Sequence, residues 1–238
     1  MSIFFCALRR QFSKWRAGGA AAFIGLVAAS APAAAFQWPD DYVTRLQALA
    51  LIQTLNADLL ANPSATLTLD RWCGAHRLAD PPTIVADRVT GQDKAPSDEV
   101  RAQLKVGPDE PVRYRRVRLR CGEHVLSEAD NWYVPARLTA EMNRELDASD
   151  TSFGRVVRPL GFRRTTLSAK LLWHPLPPGW ENGAPPQAGG ETLAIPDFLL
   201  VHRAVLTLPD GTPFSALVES YRRDVLAFPA PAVPLAGK

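Results

Sequence analysis

Cysteine is scarce in this chain, 3 among 238 residues, beside 2 methionines and 4 histidines. No C-x-x-C occurs, and His76, His124, His174 and His202 show no metal-ligand spacing, so the expectation is no metal. A G-x-S-x-G elbow and a phosphate-cradling glycine loop are both missing, which removes those signatures of nucleophilic catalysis and nucleotide binding. Long apolar runs are absent too. The best candidate, "AGGAAAFIGLVAASAPAAA", is broken by Gly18, Gly19, Gly25, Ser30 and Pro32 and is too weak for a comfortable membrane span. Nor is there an excess of one charge. The formal net charge is +3, and Arg9, Arg10, Lys14 and Arg16 lie at the extreme N-terminus, leaving a nearly neutral body. Bulk charge therefore implies no nucleic-acid partner.

What is present is globular: 47% hydrophobic and 21% charged residues, in a length that suits one sizeable domain or two small ones. Residues 1–35 read as an export signal. The charged "LRRQFSKWR" precedes the apolar stretch, which ends in Ala33-Ala34-Ala35, a small-x-small cleavage pattern. Arg9-Arg10 with Phe12 and Lys14 is similar to a twin-arginine signal; a general secretory signal and a retained anchor are the alternatives. With the signal removed, no stable membrane span is expected, and the protein would be periplasmic or secreted in a bacterium. Cys6 would leave with the signal. Cys73 and Cys121 then remain in an oxidising compartment, either as a disulfide or as two buried thiols.

Apolar residues from Val43 to Leu59 recur at helical spacing and predict a helix over residues 41–60. Asn62-Pro63 breaks it, and Ser64 can cap a second helix reaching about Arg77. "TIVADRV" reads as a strand, and Ser97 with Asp98 and Glu99 starts a short helix ending near Lys105. Two strands flank Gly122; "ARLTAEMNREL" and "SFGRVVRPLG" read as helices and "RRTTLSAKLLW" as a strand. The Pro/Gly-rich connection 174–197 is either a cover for a pocket or an inert loop. A hairpin around Asp210-Gly211 closes the fold, and residues 229–238 form a loose Pro/Ala-rich tail. Hairpin-joined strands with interspersed helices predict one α+β domain, residues 36–228, around a mainly antiparallel sheet.

The segment "RYRRVRLRCGEHVLSEADNWYVP" has five arginines in its first eight residues. Side chains alternate along a strand. Tyr114, Arg116, Arg118 and Arg120 share a polar face that reads as solvated, whereas Arg115 heads the row Val117, Leu119, Cys121, which faces the core. A charge turned inward needs a partner or an anionic ligand. Glu219, in "FSALVESYRRD", is the candidate partner. The two form either a structural ion pair or a pocket where Arg115 holds a carboxylate and Glu219 meets a hydroxyl or transfers a proton. Trp72, Trp132 and Tyr133 read as packing residues.

The succession "SDEVRAQLKVGPDEPVRYRRVRLRCGEHVLSEADNWYVPARL", "SFGRVVRPLG" and "LTLPDGTPFSALVESYRRDVL" resembles the chorismate pyruvate-lyase superfamily, which includes the UTRA ligand-sensing domains of bacterial repressors. The resemblance runs from about Leu55 to Phe228. It implies an antiparallel sheet with helices on one side and a ligand enclosed between them. It also implies a cofactor-independent carbon–oxygen lyase that eliminates pyruvate from chorismate to give 4-hydroxybenzoate. By that resemblance the carboxylate-binding arginine is Arg115 (Arg116 in a shifted alignment), and the acid/base or hydroxyl-orienting residue is Glu219. A backbone contact falls on Phe153 or Gly154. A second lyase arginine is replaced by Asn131, which can hydrogen-bond but cannot neutralise a carboxylate. The expected partner is a small aromatic carboxylate of the chorismate or 4-hydroxybenzoate type. An exported binding protein using the same pocket without chemistry is the alternative. A repressor would need a helix-turn-helix with a basic recognition surface, which residues 41–77 do not offer.

Overall fold

The computed structural model describes residues 37–233; the export-signal reading, on residues 1–35, lies outside the described residues. Six strands form one sheet in the order β1-β2-β3-β6-β5-β4, antiparallel throughout. They are β1 (Ile84–Val89), β2 (Arg113–Cys121), β3 (His124–Tyr133), β4 (Arg163–Leu171), β5 (Phe198–Thr207) and β6 (Pro213–Arg222). Gly122 turns β2 into β3 at φ +56°, where a Cβ would also come within 2.8 Å of Ala79 Cβ. Only glycine meets both demands cheaply.

Helix α1 (Tyr42–Ala61) starts where the Asp41 carboxylate accepts from Thr44 N at 2.7 Å, and it stops at Asn62-Pro63. Ser64 Oγ accepts from Leu67 N at 3.3 Å and opens α2 (Ala65–Ala75). Ser97 does the same for α3 (Asp98–Leu104), with Asp98 and Glu99 in its first turn. Helix α4 (Ala140–Ala148) is capped by Thr139, and the single turn α5 (Phe153–Val156) follows it.

Ile52, Leu55 and Leu59 of α1 and Leu69 and Trp72 of α2 pack on the sheet face carrying Val117, Leu119 and Tyr221. Met142 and Leu146 of α4 and Phe153 of α5 cover the neighbouring part of that face, with Tyr133, Leu206 and Phe214. One helix departs from this one-sided arrangement. Leu104 of α3 packs with Trp132, Val205 and Ala216 on the opposite face. Trp72, Trp132 and Tyr133 are all buried packing residues.

The connection 174–197 lies along α1 and the entry to it. Pro39 pairs with Thr192, Leu193 N donates to Trp38 O at 2.8 Å, and Arg45 Nη1 donates to Pro175 O at 3.2 Å. The segment after β6 is a clamp rather than a loose end, because Trp38 and Trp72 donate their indole N–H groups to Phe228 O (2.7 Å) and Val225 O (2.8 Å). The first part of the expected loose tail is also held, since Gln47 Nε2 donates to Pro231 O at 2.9 Å.

Cys73 of α2 and Cys121 at the end of β2 are joined by a disulfide, with Cα atoms 6.3 Å apart. In the chain-entropy picture a loop of this size is worth about 3–4 kcal/mol, so the reduced protein should unfold at clearly lower urea concentration than the oxidised one. Urea titrations with and without a thiol reductant measure the difference; coincident curves would mean the bond does not stabilise the domain.

Candidate functional site

The arginine-rich strand resolves into two faces. On the outer face Arg116 Nη2 lies 2.8 Å from Glu128 Oε2, Arg118 Nε 3.8 Å from Glu128 Oε1, and Arg120 Nε 2.7 Å from Asp87 Oδ2. Arg222 also pairs with Glu128. Carboxylates from β1 and β3 thus answer the charge of β2. The expected solvated face is a half-buried lattice of ion pairs rather than a free basic patch.

On the inner face Arg115 is 4% exposed. Its Nη2 donates to Thr151 O at 3.2 Å and, weakly, to Ser149 O at 3.4 Å. These carbonyls belong to the α4–α5 connection, which Ala86 N of β1 anchors by donating to Asp150 O at 3.2 Å. Arg115 Nε and Nη1 are buried without a partner, and among the described residues no carboxylate comes within salt-bridge reach of Arg115. Burial presses this guanidinium below its usual pKa, and the neighbouring charge of Arg88 adds to the effect. Arginine nonetheless stays protonated.

Glu219 faces the same interior, 7% exposed, but the anticipated Arg115–Glu219 pair does not form. The partner of Glu219 is Arg164 on β4, whose Nη2 lies 2.6 Å from Glu219 Oε2. The same oxygen accepts from Tyr221 Oη at 3.3 Å. Burial alone would lower the Arg164 pKa, but the Glu219 carboxylate outweighs it and the net shift is upward. Burial, then Glu219, pushes the Tyr221 phenol well up, so it remains a neutral donor.

Arg115, Arg164 and Glu219 line one cavity between the sheet and a two-part roof. One part of the roof is the start of α2 at Ser64 to Thr66; the other is Ser152 to Gly154. The parts touch closely: a Cβ on Gly154 would lie 3.2 Å from Ser64 Oγ. Arg155 Nη2 to Asp70 Oδ2, 2.6 Å, ties α5 to α2. The space is narrow, a cavity of about 50 Å3. Phe153, Phe162, Leu206 and Leu217 make its walls apolar. No residue of 174–197 lines it, so that connection is not a cover for this cavity.

Asn131 reaches the cavity but spends its Oδ1 on Ser215 Oγ at 2.6 Å. Arg116 points to the opposite face, so of the two alignments only the one through Arg115 leads into the cavity. Sequence reasoning missed Arg164 and Ser152, whose buried Oγ has no partner. β4 gives no apolar alternation to show which way Arg164 points. Among the described residues no cluster of His, Cys, Asp and Glu could hold a metal ion, and no helix is long and apolar enough to cross a membrane.

No family model matches the chain. A curated relative does: "Uncharacterized protein y4mC" of Sinorhizobium fredii (strain NBRC 101917 / NGR234), 61% identical over 197 residues, 82% of this chain and 83% of the relative. The chain belongs to the family of y4mC. Solved structures share a more distant likeness with this y4mC-family chain. The possible transcriptional regulator YydK from Bacillus subtilis subsp. subtilis str. 168 is 18% identical at TM-score 0.38, over 63% of this chain and 62% of that one. PhnF from Mycobacterium smegmatis is 16% identical at TM-score 0.42, over 64% of each chain. The effector domain of PhnF alone gives the same identity and TM-score over 68% of this chain and 94% of that domain. The chain thus spans less than two thirds of either regulator, and likenesses at this level carry no functional assignment.

His202 sits beside Glu219 across the β5–β6 pairing, is fully buried, and shares a 2.8 Å hydrogen bond between Nε2 and Asn56 Oδ1. Burial, only partly offset by Glu219, pushes its pKa down to about 4 from 6.5. The unfolded chain therefore takes up the proton first, and stability present above pH 6.5 is lost as pH falls toward 4. The loss should reach about 3 kcal/mol. Urea titrations at pH 7 and pH 4.5 of wild type and His202→Gln read it: the fall should be smaller in the variant, and equal falls would contradict the assignment.

Proposed function

We propose that the protein is an exported binder of a small aromatic carboxylate, held in this cavity with Arg115 as the carboxylate clamp. One observation supports the reading above the others: a guanidinium 4% exposed, with Nε and Nη1 unpartnered. Leaving such a charge uncompensated costs several kcal/mol, and a bound carboxylate removes that cost through charge-assisted hydrogen bonds. The setting agrees with an anion. The N-terminus of α2 brings the positive end of its dipole to the roof. The aromatic and leucine walls suit a ring, and the narrow volume suits a compact molecule. Export is supported by the signal-like residues 1–35 and by the Cys73–Cys121 disulfide, which belongs in an oxidising compartment.

A second reading, elimination of pyruvate from chorismate or a related precursor, is favoured by Glu219 lining the same cavity as Arg115. In that reading Glu219 meets the substrate hydroxyl while Arg115 holds the carboxylate.

Calorimetric titration with 4-hydroxybenzoate tests the first reading. Arg115→Ala should weaken binding at least about tenfold, the value of one charge-assisted hydrogen bond. Unchanged affinity in a folded Arg115→Ala protein would contradict it. Incubation with chorismate, following pyruvate, tests the second; turnover lost in Glu219→Ala would establish it, and no turnover in wild type would remove it.

A further inference from the structure

We infer that the cavity selects ligands bearing a single negative charge, and that the Arg164–Glu219 pair sets this count. The inference rests on the carboxylate-binding reading above. Among the described residues three ionised side chains reach the cavity: Arg115, Arg164 and Glu219. The charge of Arg164 is answered, because Glu219 lies 2.6 Å away and both side chains are under 10% exposed, although its Nε is also buried without a partner among the described residues. Arg115 has no such partner among the described residues, which leaves one unanswered positive charge in the interior they form.

The charges nearest Arg115 on the outside do not change that balance. Arg88 and Arg113 stand against Asp147 and Asp150. Arg113 Nη1 is 2.9 Å from Asp147 Oδ2, and Arg88 Nη1 donates to Asp147 O at 2.6 Å. Two positive and two negative groups cancel at the rim.

A monocarboxylate at Arg115 therefore neutralises the cavity. A second carboxylate has two places to go, and both are bad. It faces the Glu219 carboxylate directly, or it takes Arg164 and leaves Glu219 as an unpaired charge in a buried site. The remaining polar side chains of the wall, Asn131, Ser152, Ser64 and Thr66, are neutral and can serve a hydroxyl but not a charge. Topology builds the device. Arg164 lies on β4, pairs in register with Leu206 of β5, and reaches past β5 to Glu219 on β6. Arg164 thus stands as a second cation in the cavity whose charge is already answered by Glu219. Dianions of the chorismate type are disfavoured by the same arithmetic, which sets elimination from such a substrate below simple binding.

The test compares three probes by calorimetry on the purified protein: 4-hydroxybenzoate, terephthalate, and monomethyl terephthalate. The last has nearly the size of terephthalate but only one charge. Terephthalate should bind at least about tenfold more weakly than either monoanion. Glu219→Gln frees Arg164, adds one positive charge to the interior, and should reverse the order. Arg164→Gln removes that charge and should weaken 4-hydroxybenzoate although Arg115 is intact. Terephthalate binding wild type as tightly as the monoanions would overturn the inference and leave the carboxylate reading standing. So would monomethyl terephthalate binding as weakly as terephthalate, since size would then be the filter. Binding of no probe by a folded wild-type protein removes the carboxylate reading and the inference together. The wild-type comparison decides the matter even where a variant fails to fold.

Discussion

Taking a guanidinium out of water costs more than hydrogen bonds to carbonyl oxygens return, so a buried arginine has to find negative charge. Two arginines meet this demand on the inner face of the sheet and answer it differently. Arg164 takes Glu219, and Arg115 takes only backbone carbonyls. That difference carries the proposal that the space between sheet and helices is a site for an anion instead of another piece of core. Everything else in the domain fixes where those two guanidinium groups stand.

The sheet does most of that fixing. Arg115 pairs in register with Asn131, Asn131 with Leu217, and Leu217 with Ala204, which places residues from four strands in one row across the inner face. The neighbouring row runs from Val117 through Ala129 to Glu219 and His202. A one-residue slip would turn all of these outward. Apolar burial on either side of the rows guards against that slip, with α1 and α2 over one part of the face and α4 and α5 over the next. The disulfide ties α2 to β2, so the helix that begins the roof is bonded covalently to the strand that carries Arg115. Roof and floor of the cavity are thereby joined by Cys73–Cys121, and the two parts of the roof are joined to each other by the Arg155–Asp70 pair between α5 and α2.

Much of this was legible in the residues alone. Caps at Ser64 and Ser97 are local chemistry, and each marks a helix start, while Asp41, read as the first residue of α1, is its cap. The inward direction of Arg115 follows from alternation with Val117, Leu119 and Cys121, a signal that burial makes strong. Arg164 was not legible because β4 is the edge strand and its half-buried side begins with Arg164, Thr166 and Ser168, all polar, so nothing in "RRTTLSAKL" marks an inner face. Its partner is 55 residues away, and only the β4–β5–β6 order brings the two together. The supposed Arg115–Glu219 pair failed for the same reason: periodicity says which way a side chain points but not which of two inward cations it meets. The position of α3 on the opposite face was likewise set by tertiary packing of Leu104 against Trp132 and Ala216. Composition left one place open, since the proline-rich 174–197 segment suits a cover and an inert loop equally well, and the structure pins it to α1 and Trp38.

The most direct measurement is a crystal structure of the protein soaked with 4-hydroxybenzoate. The carboxylate should lie within hydrogen-bond distance of the free donors of Arg115, with the ring against Phe153 and Leu217 and the Arg164–Glu219 pair intact. A cavity without the ligand, and an Arg115 turned onto Asp150 or Glu219, would show that the guanidinium is a structural ion-pair member and that the site does not bind carboxylates.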